Sequence, residues 1–327
     1  MRCIRLSIAC ATAVVLSHCA PRAVQTRSPV VGIESVAMRV DDFVVVHAVC
    51  NESRPTPVIV DTGSMQGLVI SESSAPQLGT RAGLGEQEIE LRTNLGPIHA
   101  RRAGQVRVRL GRTTLSVPAD VVQPRHMPVL GAEALRQFGG VIFDWPSGRL
   151  WLIDRGSRPE TGGPWVELPL LRFTLDDPAR DPAPTFRPNA LLVHATLAGE
   201  PVVCLLDTGF PGELLCHDVL RGEGSSRPVT AETLGLRRAG ETALAPGVLR
   251  FGHLEFNDLT VLRVPPDSSQ TRLYSVVVGL SVLRTYPMWV DYDHGVVRFW
   301  TGNVPLDLSR SAASVSRSAN CTNSPPQ

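Results

Sequence analysis

Two short stretches of this chain could place a pair of carboxylates at the ends of strands. Val58-Ile59-Val60-Asp61-Thr62-Gly63-Ser64 is an apolar run that ends in an aspartate and a turn, and Cys204-Leu205-Leu206-Asp207-Thr208-Gly209-Phe210 repeats the pattern. Asp-Thr-Gly arises by chance about once in 5,000 positions at average residue usage. A single copy reads as a turn closed by an Asx hydrogen bond; a matched pair, each behind an apolar run, points to chemistry. Two carboxylates held close cannot both ionise cheaply, so they share one proton. The ionised member takes a proton from water while the protonated one donates to a carbonyl, which is what peptide hydrolysis requires. Such a pair titrates as a unit and calls for no metal and no cofactor.

The elements that must position these aspartates also come twice. Ile33 to Val40 and Phe43 to Val49 suggest a hairpin before Asp61. Glu88 to Thr93 and His99 to Leu110 form a second hairpin candidate around the turn Asn94-Leu95-Gly96-Pro97. Leu115 to Val122 reads as a strand, and Val129-Leu130-Gly131 leads into a short helix over Ala132 to Phe138. Val141 to Asp144 and Arg149 to Ile153 close the unit around Pro146-Ser147-Gly148. In the second copy Trp165 to Leu171 matches the strand at Ile33, Gly247 marks a turn near the equivalent of Gly96, and Leu259 to Val264 matches the strand at Leu115. Val277-Val278-Gly279 matches Val129-Leu130-Gly131; 70 residues separate Asp61 from Gly131 and 72 separate Asp207 from Gly279. Leu135-Arg136-Gln137-Phe138 and Leu283-Arg284-Thr285-Tyr286 follow, then Asp144 and Asp291, read as turn residues. Val46-His47-Ala48 returns as Val193-His194-Ala195, and these histidines read as a strand position common to both copies rather than as ligands or bases.

This order of parts resembles the aspartic proteases over roughly residues 33–302. Each half is similar to a retropepsin subunit, and the whole is similar in plan to pepsin, a tandem duplication in one chain. The resemblance implies an all-β fold: two similar lobes of mostly antiparallel strands with a cleft between them and one short helix per lobe. The N-terminal lobe spans 33–157 and the C-terminal lobe 164–303, with a Pro-rich loop at 172–188 and a flexible tail at 304–327. It also implies that Asp61 and Asp207 are the catalytic aspartates. Thr62 and Thr208 would interlock the two loops, and Gly63 and Gly209 would give the carboxylates their backbone amides. Segments 129–131 and 277–279 would support the loops from below. Asn94, Leu95 and Gly96 would form the tip of a flap closing over a peptide or protein substrate. One chain carrying both loops implies a catalytically complete monomer.

Two features depart from that family. Ser64 fits the hydroxyl residue usual after Asp-Thr-Gly, where it bonds the outer carboxylate oxygen, and Phe210 does not. The first flap carries no tyrosine; Tyr274, Tyr286 and Tyr292 all lie in the second half. These departures bear on substrate and pH preference. Phe210 also favours an alternative: an exported protein of very narrow specificity, or one that presents the cleft to a peptide or envelope ligand without cutting it.

Other chemistries find no footing. His-Glu-x-x-His, Gly-x-Ser-x-Gly, Cys-x-x-Cys, P-loop and Gly-x-Gly-x-x-Gly motifs are absent. All 32 basic residues are arginine, which excludes Schiff-base lysine chemistry, and a net charge of +1 offers no electrostatic case for nucleic acid.

Residues 1–20 read as an export signal: Arg2 and Arg5, then a short apolar core from Ile8 to Leu16. Leu16-Ser17-His18-Cys19 resembles a bacterial lipoprotein box, with His18 where a small residue is usual. Lipid anchoring at Cys19 and plain cleavage near Ala20 both stand, and both place the protein in the periplasm, on the outer membrane or outside the cell. Residues 21–32 then read as a tether. Export would permit disulfides among Cys50, Cys204, Cys216 and Cys321. Cys204 and Cys216 flank the second Asp-Thr-Gly and are the first pair to consider, against buried free thiols.

Overall fold

The computed structural model describes residues 32–80, 87–159, 162–171, 190–217, 226–233, 236–244, 247–264 and 274–303, with Leu306 and Leu308. The export signal with Cys19, the tether 21–31, loop 172–188, Cys321 and nearly all of tail 304–327 lie outside the described residues.

The first half contains β1 (Ile33–Ala37), β2 (Arg39–Val40), β3 (Val44–Cys50), β4 (Thr56–Asp61) and β5 (Leu68–Ser71). It continues with β6 (Glu88–Thr93), β7 (Gly96–Leu110), β8 (Thr113–Val122) and β9 (Val129–Gly131), then α1 (Ala132–Leu135), β10 (Gly140–Asp144) and β11 (Arg149–Ile153). The second half opens with β12 (Trp165–Pro169), β13 (Leu192–Leu197), β14 (Glu200–Asp207) and β15 (Leu214–His217). There follow β16 (Arg227–Thr233), β17 (Leu236–Leu244), β18 (Leu249–Phe251), β19 (Leu254–Phe256) and β20 (Thr260–Val264). β21 (Val276–Gly279), α2 (Leu280–Leu283), β22 (Met288–Asp291) and β23 (Val296–Trp300) complete it. The described residues are thus mostly β, in three sheets with only short helices.

One sheet of eight strands is drawn from the first half and one of nine from the second. The third, of order β1-β11-β10-β22-β23-β12, takes three strands from each half and joins them by the antiparallel pair β10–β22, from Gly140↔Asp291 to Phe143↔Met288. Trp145 Nε1 donates to the Tyr286 carbonyl at 2.7 Å across the same join.

The aspartate-bearing strands read as unbroken apolar runs because both of their faces are covered. Val58 and Val60 of β4 and Cys204 and Leu206 of β14 point into one shared core. The alternate residues face smaller clusters, Ile59 one and Leu205 another. A period of two then sends Asp61 and Asp207 to the side away from the shared core.

Three sequence expectations change. β1 does not hairpin with β3: it pairs with β11 along its whole length, and only the two-residue β2 pairs with β3. α1 has four residues rather than the seven from Ala132 to Phe138, because Gln137 and Phe138 bond three residues back before Gly139-Gly140 starts the next strand. Gly247 is not the counterpart of Gly96. The matching hairpin is β16–β17, whose pairing runs to Thr233↔Leu236, whereas Gly247 follows β17, where Gly104 interrupts the pairing of β7. Gly104 and Gly247 share a positive φ, +83° and +76°.

Cys204 and Cys216 are free thiols, as is Cys50. Both Cys204 and Cys216 pair with Val276, from opposite sides, so a whole strand separates them. Two strand spacings are about 9.6 Å, beyond the ~7 Å over which two Cα atoms can be bridged.

Candidate active site

β4 and β14 each end on their aspartate, and in each case the neighbouring strand runs parallel and ends on glycine: Asp61↔Gly131 and Asp207↔Gly279. The glycine strands support the turns through matched bonds. Gly131 N–H donates to Gly67 O at 3.0 Å and Ala132 N–H to Ser64 O at 2.6 Å; Gly279 N–H donates to Glu213 O at 2.8 Å and Leu280 N–H to Phe210 O at 2.7 Å.

The two turns meet. Thr62 and Thr208 are fully buried, and each hydroxyl bonds twice across the contact. Thr62 Oγ1 accepts the Thr208 N–H at 3.0 Å and donates to the Leu206 carbonyl at 2.8 Å. Thr208 Oγ1 accepts the Thr62 N–H at 3.0 Å and donates to the Val60 carbonyl at 2.8 Å. A buried hydroxyl uses donor and acceptor together here, and four backbone groups that would otherwise be orphaned are satisfied.

That interlock brings the carboxyls of Asp61 and Asp207 within hydrogen-bonding contact of each other. Asp61 Oδ1 accepts the N–H groups of Gly63 at 2.8 Å and Ser64 at 3.0 Å. Asp207 Oδ1 accepts the Gly209 N–H at 2.8 Å. Asp207 is 5% exposed, whereas Asp61 remains partly open to solvent. Burial pushes the Asp61 carboxyl up, against the hydrogen bond from Asp207 and the amides of Ser64, Gly63 and Gly209. Burial pushes Asp207 well above the usual carboxylate range, and the neighbouring Asp61 charge raises it further, with only Gly209 and Asn94 pulling back. Both carboxyls are raised and they share a proton as a pair; Asp61, with two turn amides and an opening to solvent, is the better stabilised of the two as an anion.

The Ser64 hydroxyl is not on the carboxylate. It lies against Gly131 and donates to Gln66 Oε1 at 3.2 Å, leaving its backbone N–H to serve Asp61. The ring of Phe210 packs over Gly212 and Gly279 and belongs to an apolar cluster with Leu205, Leu215 and Tyr274.

The β6–β7 hairpin reaches the pair. Asn94 Nδ2 donates to Asp207 Oδ2 at 3.0 Å, and Leu95, 7% exposed, enters the Phe210 cluster. Gly96 starts β7 opposite Thr93. The sequence reading missed Tyr274, whose hydroxyl donates to Asn94 Oδ1 at 2.7 Å. Its signal was positional: Tyr274 stands five residues before Gly279, as His126 does before Gly131. A tyrosine therefore does reach this hairpin, from the other half of the chain.

His47 and His194 are exposed on β3 and β13. Asp144 accepts from the Ser147 hydroxyl, and Asp291 accepts the His294 N–H at 3.0 Å and the Arg298 guanidinium. Burial raises Asp291, but Arg298 and His294 outweigh it and hold the carboxyl below its ordinary value. These are turn roles.

Residues 46–134 match the family model described as aspartyl protease. No curated protein matches the chain. The aspartyl-protease segment runs from β3 into α1, so it includes Asp61, the β6–β7 hairpin and Gly131, and it ends before Asp207.

Proposed function

We propose that the protein is an aspartic endopeptidase in which Asp61 and Asp207 activate a water. The observation that carries this reading is the mutual contact of two carboxyls, one from each half, held by reciprocal threonine bonds. In the reaction the water oxygen attacks the scissile carbonyl carbon and its proton passes to ionised Asp61. The proton on Asp207 passes to the carbonyl oxygen, giving a tetrahedral diol. Collapse of the diol breaks the C–N bond as the Asp61 proton passes to the leaving amine and one diol hydroxyl proton returns to the Asp207 carboxylate, which restores the pair. The aspartyl-protease match over 46–134 supports the same class for the first half.

On this reading the chain is a tandem duplication with a lobe at 33–157 and another at 164–303, and it is complete as a monomer. Residues 1–20 support export to the periplasm, the outer membrane or beyond, with Cys19 as the lipid acceptor if an anchor is used.

The test is cleavage of a diverse peptide mixture from acid to neutral pH by the exported form, beside Asp61→Asn and Asp207→Asn. Cuts that vanish in both variants support the paired mechanism. Cuts that persist in both overturn it. Absence of cuts favours the cleft-presenting alternative.

A further inference from the structure

The two aspartates are not served alike by their own turns. Asp61 receives two backbone donors from its turn, Gly63 and Ser64. Asp207 receives one, Gly209; the Phe210 N–H bends back to the Asp207 main-chain carbonyl at 3.4 Å, and the phenyl side chain carries no donor. The remaining oxygen, Oδ2, is met by Asn94 Nδ2 from 113 residues away at 3.0 Å. Asn94 is itself aimed. Its carbonyl accepts the hydroxyl of Tyr274, which is 4% exposed, so the amide group is oriented with its nitrogen toward Asp207. The tip is braced as well: Thr93 Oγ1 accepts the Leu95 N–H at 3.2 Å and donates to Gly96 O at 2.8 Å, while Leu95 packs beside Phe210 and Tyr274.

We propose that Asn94, oriented by Tyr274, is a positioning residue that supplies Asp207 with the donor its own turn lacks, so that closure of the β6–β7 hairpin completes the hydrogen bonding of the carboxyl pair. This deepens the aspartic endopeptidase reading and rests on it for its functional meaning. The groups facing Asp207 are the Asp61 carboxyl from β4, the Gly209 amide of its own turn and the Asn94 amide from the hairpin, with the Tyr274 hydroxyl behind the last. An N–H donor favours the ionised form of a carboxyl, so removing it makes the pair hold its shared proton to higher pH.

The experiment is a pH titration of the folded chain carrying 13C-carboxyl aspartate, followed by NMR, for the native sequence, Asn94→Ala and Tyr274→Phe. The upper apparent pKa of the pair should rise by about one unit in Asn94→Ala. Tyr274→Phe keeps the ring and the packing, and should move it the same way by less. An upper value that stays put in both variants, or falls, overturns the proposal. The readout needs no turnover, so the two ideas separate. A shift without peptide cleavage leaves the positioning role standing and removes the endopeptidase reading; cleavage without a shift does the reverse.

Discussion

Gly63 and Asp207 come from different halves of the chain, yet a Cβ on residue 63 would stand 2.2 Å from the Asp207 Cγ. Gly209 and Asp61 are related in the same way, again at 2.2 Å. Each glycine is the floor under the other half's carboxylate, and no side chain fits between them.

Gly63→Ala and Gly209→Ala should therefore push the carboxyls apart. A displacement of about 1 Å in a reacting group costs about 100-fold in rate, so each variant should lose at least about that much in kcat with its circular dichroism retained. Native-like turnover in either variant would remove the close approach from the mechanism.

The threonine interlock sets a stability expectation. Thr62→Val and Thr208→Val keep the shape but strand a buried N–H and a buried C=O each. At about 1–3 kcal/mol per orphaned group, each variant should lose roughly 2–6 kcal/mol in denaturant unfolding. The double variant should lose less than the sum, because the two hydroxyls serve one contact.

Asp207→Asn should abolish cleavage and change how stability depends on pH. The native carboxyl binds its proton more tightly than the unfolded one, so native stability is highest below the unfolded value near 4 and falls as pH rises toward the folded value. The asparagine variant lacks that loss. Its melting temperature relative to the native sequence should rise between about pH 3 and pH 7. A difference that is flat with pH would remove the raised Asp207 carboxyl.

The cysteines lead to a chemical test. Burial pushes the Cys50 thiol up to about 11 and Cys216 up to about 12, with Cys204 raised further by burial and by Cys216. Thiolates are the reactive form, so iodoacetamide should leave these three untouched in the folded chain at pH 8 and label them after unfolding. Reductant should not alter the melting temperature, because Val276 keeps Cys204 and Cys216 a strand apart.

Much of this molecule is legible along the chain because its signals are local. The apolar runs before Asp61 and Asp207 announce strands covered on both faces, and the turn at Asn94-Leu95-Gly96 announces the β6–β7 hairpin. Spacing alone places Gly131 and Gly279, since a strand–turn–strand path of about 70 residues recurs with little change. Reading fails where a strand chooses between partners. β1 resembles half of a local hairpin, yet it joins β11 because Ile33 finds its cluster with Ile142, Ile153 and Trp289 there. The glycine at 247 misleads for a related reason: a turn residue marks a break in the chain without saying which break it is.

By itself the sequence determined the chemistry at hand: two aspartates, each on an apolar strand, each followed by threonine and glycine. It did so because strand and turn preferences act over a few residues and survive any arrangement of the rest. Tertiary structure alone decided which groups complete the pair. Ser64 turned its hydroxyl to Gln66, Asn94 came to Asp207, and Tyr274 crossed from the other half to hold Asn94 in place. Hydrogen bonds reach about 3 Å and are blind to sequence separation, so contacts spanning 113 and 180 residues exist only once the sheets have packed.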